Sequence, residues 1–172
     1  MIEFRYTKHA YYAGVINNFL GLRTLAKFDS GAAVSIIGIE RFGIEFQEQQ
    51  FLDFFTRYAR NNGIVKRVYS VANGQEIETY PCVMDRLSLD GTDIRNFRFG
   101  FVISRKSNRF LLGDDFISCC DFNHAIGSSI NICKFSHSRY AESAESARSA
   151  YINQVVDMYK HEYETCFSHE RN

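Results

Sequence analysis

Three groups of side chains in this sequence have types and spacings that could do chemistry. Asp29-Ser30-Gly31 puts a carboxylate, a hydroxyl and a glycine on consecutive positions between two apolar runs. Asp114-Asp115, with Asp121 and His124 close behind, gathers acids and an imidazole as a metal-dependent hydrolase would. Cys119 and Cys120 offer thiols near the same His124. The second and third groups have plain structural explanations, because adjacent acids commonly open a helix and helix thiols usually serve as small buried hydrophobes. The five cysteines, Cys82, Cys119, Cys120, Cys133 and Cys166, lack the paired short spacings of a zinc site, and reduced thiols are expected. No metal and no other cofactor is expected.

The Asp29 turn has two readings of its own. In one it is an ordinary loop, in which the Asp side chain folds back onto its own backbone, Ser30 supports it and Gly31 supplies an unusual dihedral. In the other, a carboxylate set between two buried segments is there for its chemistry, because a charge removed from water must be paired, hydrogen-bonded or protonated.

Composition narrows the function classes. The 172 residues suit one domain plus an appendage, and 45% hydrophobic with 15% aromatic content is enough for a folded, β-rich core. Twenty Lys and Arg balance twenty Asp and Glu, so no basic field recruits nucleic acid and no polybasic segment anchors a membrane. Charges in Met1-Ile2-Glu3-Phe4-Arg5-Tyr6 interrupt what a secretory signal would keep apolar, and a cytoplasmic location is expected.

The elements that must position these groups can be read in order. Tyr12–Ile16 and Gly21–Phe28 alternate as two strands feeding Asp29. Residues 46–61 carry Phe51, Leu52, Phe54, Phe55 and Tyr58 at helical spacing and stop at Asn61-Asn62-Gly63, which predicts a helix whose aromatic stripe is core contact. Residues 64–71 and 76–89 flank Asn73-Gly74 as a hairpin, and Asp90-Gly91 turns into a strand at Phe97–Ile103. Arg109–Leu112 reads as a short strand broken at Gly113, followed by a helix to about Phe122 and a last strand at Ser129–Phe135. Beyond it, residues 141–167 read as a helix. The expected division is a β-rich domain over 1–135 and a helical extension over 136–172.

Phe28-Asp29-Ser30-Gly31-Ala32 together with Phe110-Leu111-Leu112-Gly113-Asp114-Asp115-Phe116 resembles the retropepsin-like aspartic peptidases, over about Ala10 to Phe135. In that family an apolar strand leads into Asp-Thr/Ser-Gly-Ala, a flap hairpin follows, and an apolar-apolar-Gly element precedes a short helix and final strand. The resemblance implies a mainly β, single-domain acid-protease fold, closed and barrel-like with a flap hairpin, here with an inserted helix and a C-terminal helix. It implies an aspartic endopeptidase that binds polypeptide in extended form. In the catalytic group Asp29 would be the carboxylate, Ser30 would brace the two loops across a dimer and Gly31 would allow close backbone approach with its amide near the shared carboxylates, while Ala32 would bind substrate. Val71, Ala72, Asn73, Gly74 and Gln75 would form the flap tip, and Leu111, Leu112 and Gly113 the support beneath the turn. The chain has one such motif and no internal repeat, so the second carboxylate would come from a second copy in a homodimer. Ser129–Phe135 is the candidate for a terminal strand interleaved between the two copies. Departures include Ala33, where retroviral members often carry an acid, and Asp114, where they often carry Arg. The alternative is a catalytically silent module of the same fold that dimerises and grips peptides.

Overall fold

The computed structural model describes residues 2–7, 10–17, 22–38, 48–70, 74–103, 107, 109–123, 130–144 and 152–153. Within them the chain is mainly β, with eleven strands and three helices. Strands β2 (Ala10–Asn17) and β3 (Leu22–Phe28) pair antiparallel, and β3 ends at the Asp29 turn. After the turn, β4 (Ile36–Gly38) pairs with both β7 (Thr92–Val102) and β8 (Phe110–Leu112), and β8 in turn pairs with β3. The long strand β6 (Glu76–Leu89) joins β7 by a two-residue turn, Asp90-Gly91, whose φ values of 49° and 79° suit an Asp-Gly hairpin. Residues Ser88 and Leu89 of β6 pair with β2, which closes β2, β3, β8, β4, β7 and β6 into a ring. A closed ring leaves few raw edges.

Strand β6 has two further partners. Residues Glu76–Thr79 pair antiparallel with β5 (Arg67–Ser70), and Cys82 and Val83 pair in parallel with β11 (Ile152–Asn153). Strands β5 and β6 thus pair antiparallel on either side of Asn73-Gly74, with Ser70 opposite Glu76 and Gly74 at φ 80°, while Val71, Ala72 and Asn73 of the expected turn lie outside the described residues.

Helix α1 (Glu48–Asn61) buries Phe54, Phe55 and Ala59. The Phe55 ring lies 4.7 Å from Tyr80 and 5.4 Å from Phe101, so the inserted helix is part of the main core and its aromatic stripe packs as the spacing predicts. At the other end of the core, Phe116 stacks on Phe135 at 4.8 Å and meets Phe97, Phe28 and Tyr140.

Four elements differ from the sequence reading. Strand β1 (Ile2–Thr7), not anticipated, pairs with β2 and with β10 (Ile130–Phe135). The helix after Gly113 is a single turn, α2 (Asp114–Ile117), and Cys120–Asn123 forms β9 against β10 instead of continuing the helix. Helix α3 begins at His137, earlier than expected, and runs to Ala144. Ile152 and Asn153 are strand, so residues 141–167 are not one helix. At Cys120–Asn123 and Ile152–Asn153 a strand partner distant in sequence overrides local helical pattern, which short windows do not register. Strand β10, where Ser129–Phe135 was expected to interleave with another copy, pairs within its own chain with β1 over Ile130–Cys133 and with β9 over Ile132–Phe135.

Helix α3 is tied down by Tyr140. Its hydroxyl accepts the Arg98 backbone N–H at 2.8 Å, the Arg98 guanidinium lies 4.3 Å over its ring, and that guanidinium also donates to the Tyr140 carbonyl and to Ser143 Oγ. Burial pushes the Tyr140 phenol up to about 12. Tyr140→Phe should cost about 1–3 kcal/mol in urea unfolding, because it leaves a buried amide unpaired, and Tyr140→Ala about 3–5 kcal/mol, because it also empties the aromatic cluster.

Candidate active site

The Asp29 turn is fixed by main-chain bonds on both sides. The Asp29 N–H donates to Leu112 O at 2.9 Å, the Ala32 N–H to Asp29 O at 3.1 Å, and the Asp114 N–H to Ala32 O at 2.7 Å. The Gly31 N–H donates to Asp29 Oδ1 at 3.0 Å, the fold-back expected of an ordinary Asx-turn and equally of a carboxylate held beside backbone amides. The carboxylate is not buried as the flanking apolar runs suggest. Asp29 is half-buried, and Ser30 and Gly31 are exposed, while Ala26, Ala32, Ile36 and Ile37 around them are buried. The second carboxylate oxygen has no hydrogen-bond partner among the described residues.

Leu111, Leu112 and Gly113 run beneath the turn. Lys27 pairs with Leu111 and Phe28 with Leu112, and Ile36 on the far side of the turn also pairs with Leu111. Strand β8 is thereby wedged between the arms that enter and leave the turn. Gly113 is required there by close approach: a Cβ would collide with the Val34 carbonyl and stand 2.8 Å from Ala32 O. A second apolar group, Ile36, Ile77 and Val102 with Val34 and Leu111 against it, joins the turn's outgoing arm to Ile77 of the β5–β6 hairpin. Among the expected tip residues, Gly74 and Gln75 are exposed.

Sequence reasoning overlooked a polar link under the turn. Ser35, buried in an apolar run, donates its hydroxyl to Asp115 Oδ1 at 2.8 Å and accepts the Gly113 N–H at 3.1 Å, while its carbonyl accepts the Gly100 N–H at 2.8 Å. Asp115 Oδ1 also accepts the Phe116 N–H at 2.9 Å. Burial pushes the Asp115 carboxyl up, and the Ser35 and Phe116 hydrogen bonds and the Arg98 charge offset only part of that rise. A lone serine among Ala33, Val34, Ile36 and Ile37 was the available signal, since a buried hydroxyl needs a partner.

The other candidate groups disperse. Asp115 is engaged with Ser35, and Asp121 pairs with Arg139 at 3.2 Å. His124 lies outside the described residues, among which no three His, Cys, Asp or Glu are grouped to hold a metal. Cys82, Cys119, Cys120 and Cys133 are buried free thiols. Cys119 donates to Asp115 O and Cys120 to Phe116 O, and burial pushes the Cys82 thiol up, which is packing chemistry and not nucleophilic activation. No helix among the described residues is long and apolar enough to cross a membrane.

No protein-family model matches the chain, and no curated protein matches it. Among solved structures it is similar to the crystal structure of a retropepsin-like aspartic protease from Rickettsia conorii. The TM-score is 0.44 and the identity 14%, over 75% of this chain and 94% of that one.

Two measurements probe the support of the turn. Gly113→Ala should destabilise by about 3 kcal/mol, the upper end for overpacking, because the atom it meets is backbone. For Asp115, a folded-state value raised above the unfolded one means that its contribution is complete in acid and is lost as pH rises through the folded value. Asp115→Asn keeps an oxygen for Ser35 without the charge, so the melting temperature of this variant should gain on wild type between about pH 4, the ordinary carboxylate value, and neutrality.

Proposed function

We propose that the chain is an aspartic endopeptidase of the retropepsin-like kind, working as a homodimer with one Asp29 from each copy. One observation carries this reading. Asp29 has its backbone fixed by β8 and its half-buried carboxylate on an exposed turn, with one oxygen unengaged among the described residues, which supports a side chain placed by the fold and left available. A structural carboxylate is normally used up by the contacts that explain it, as Asp115 is by Ser35 and Phe116.

The chemistry follows from pairing two such turns. Two carboxylates a few ångströms apart cannot both ionise, so they share one proton. The ionised member takes a proton from a water as that water attacks the scissile carbonyl carbon, and the protonated member gives its proton to the carbonyl oxygen. As the tetrahedral intermediate collapses and the C–N bond breaks, one hydroxyl of the intermediate returns its proton to the ionised carboxylate while the leaving amine takes the proton of the other, so the pair ends with the one shared proton it began with. In this reading Ser30 braces the partner's turn, and Gly31 and Ala32 line the floor of the cleft. The β5–β6 hairpin, with Val71, Ala72, Asn73, Gly74 and Gln75 at its end, covers an extended polypeptide that binds through main-chain hydrogen bonds.

Cleavage of a mixed peptide library at mildly acidic pH tests the proposal. Wild type should cut, and Asp29→Asn and Asp29→Ala should each lower the rate by at least about 10³-fold, the scale of a lost acid–base group, without loss of folded structure. Equal background from wild type and both variants would leave a silent peptide-binding module in place of a peptidase.

A further inference from the structure

We propose that the polypeptide cleft beside Asp29 selects acidic side chains close to the scissile bond, with Lys27 as the specificity-determining residue. The inference rests on the peptidase reading above and names the substrate class of that same site.

Alternation along β3 sorts its side chains onto two faces. Ala26 is fully buried and Phe28 packs against the main core, so these two face inward. Leu25 and Lys27 take the other face, where Leu25 is 53% exposed and Lys27 is half-buried. Asp29 follows two positions after Lys27, and its N–H still continues the β3–β8 ladder, so it extends the row that holds Lys27. Two residues of strand rise about 7 Å, which makes Lys27 the next side chain along that row from the carboxylate.

Strand β8 carries the same face onward. Leu111 pairs with Lys27 and is half-buried, whereas Leu112, one position on, is fully buried. Leu111 also packs against the group of Ile36, Val102 and Ile77, the last of these from the β5–β6 hairpin. The hairpin that would cover a bound polypeptide thus reaches the face on which Lys27 and Asp29 stand.

Lys27 has no structural task that explains it. At this residue β3 is paired on both sides, with Tyr12 of β2 and Leu111 of β8, so the lysine does not guard a sheet edge. It forms no ion pair among the described residues. A half-buried cation left without a counter-charge favours an anion that arrives with a ligand. A second cation, Arg109, lies two positions before Leu111 and lines a cavity of about 530 Å³ with Leu52, Thr56 and Tyr80. Glu76 and Glu78 line that cavity too, and Glu78 is paired with Lys66 at 3.6 Å, which leaves Arg109 and Glu76 as charges of opposite sign. Discrimination by charge therefore falls to Lys27. An extended polypeptide advances about 3.3 Å per residue, so an acid within two residues of the scissile bond can reach it.

Sequencing the products of a mixed peptide library cut by the full chain tests this. Asp and Glu should be enriched within two residues of the cut. Among matched peptides carrying Glu, Gln or Lys at the enriched position, wild type should favour Glu over Gln at least about tenfold in kcat/KM, the ratio that about 1.4 kcal/mol sets. Lys27→Met should abolish that preference, Lys27→Arg should keep it, and Lys27→Glu should transfer it to the Lys peptide. A purely structural lysine would not reverse specificity when its charge is reversed. Asp29-dependent cleavage with no acid preference, or with one that Lys27→Glu leaves in place, overturns the role of Lys27 and leaves the peptidase reading standing. If nothing is cut, the same library is passed over the immobilised protein. Lys27-dependent retention of acidic peptides then supports the cleft and overturns the peptidase reading, and retention without that preference overturns both.

Discussion

The bond from the Asp29 N–H to the Leu112 carbonyl is the contact on which the arrangement around the turn depends. It continues the parallel pairing of β3 with β8 one residue past the end of the strand, so the turn begins while its backbone is still inside a sheet. Because β8 pairs on its other side with β4, the outgoing arm is held by the same short segment as the incoming one. Three residues of β8 thus fix both ends of a turn that would otherwise lose its order to chain entropy. The Asp29 side chain adds one bond to its own loop, from the Gly31 N–H to Oδ1.

Beneath that backbone frame lies the Ser35 hydroxyl, which accepts from Gly113 and donates to Asp115. A hydroxyl can do both at once, and neither alanine nor valine could replace it without leaving a buried amide and a partly buried carboxyl with one partner fewer. The aromatic cluster around Phe116 then seats α2, and Tyr140 carries the packing onward to α3 through Arg98. The route from the turn to the helical segment therefore passes through named contacts, with apolar packing on one side of Phe116 and hydrogen bonds on the other.

Much of this was legible in the sequence where the signal is local. Alternation identified β3 and most of β7, Asp90-Gly91 marked a hairpin that forms, β5 and β6 pair on either side of Asn73-Gly74, and the Phe54–Phe55–Tyr58 spacing gave a helix with a core-facing stripe. What was not legible depends on partners far along the chain. Ser35 and Asp115 meet across 80 positions, and neither residue type announces the other. Residues Cys120–Asn123 look like the end of a helix until β10 supplies a ladder for them, and Ile152 looks helical until β6 does. The Asp29 turn was visible as a motif, but its exposure was not, because burial of the flanking strands says nothing about which way the turn projects.

Strand β6 has a mechanical consequence. Its pairing with β5 ends at Thr79 and its pairing with β7 begins at Tyr80, so the strand runs unbroken from the hairpin into the closed ring while no pairing among the described residues spans the junction. A change of angle between Thr79 and Tyr80 therefore need give up no ladder hydrogen bond. The pairing of Cys82 and Val83 with β11 lies just past that junction, on the ring side. Force applied to residues 152–153 would bear on the ring side of the junction and need not reach the hairpin.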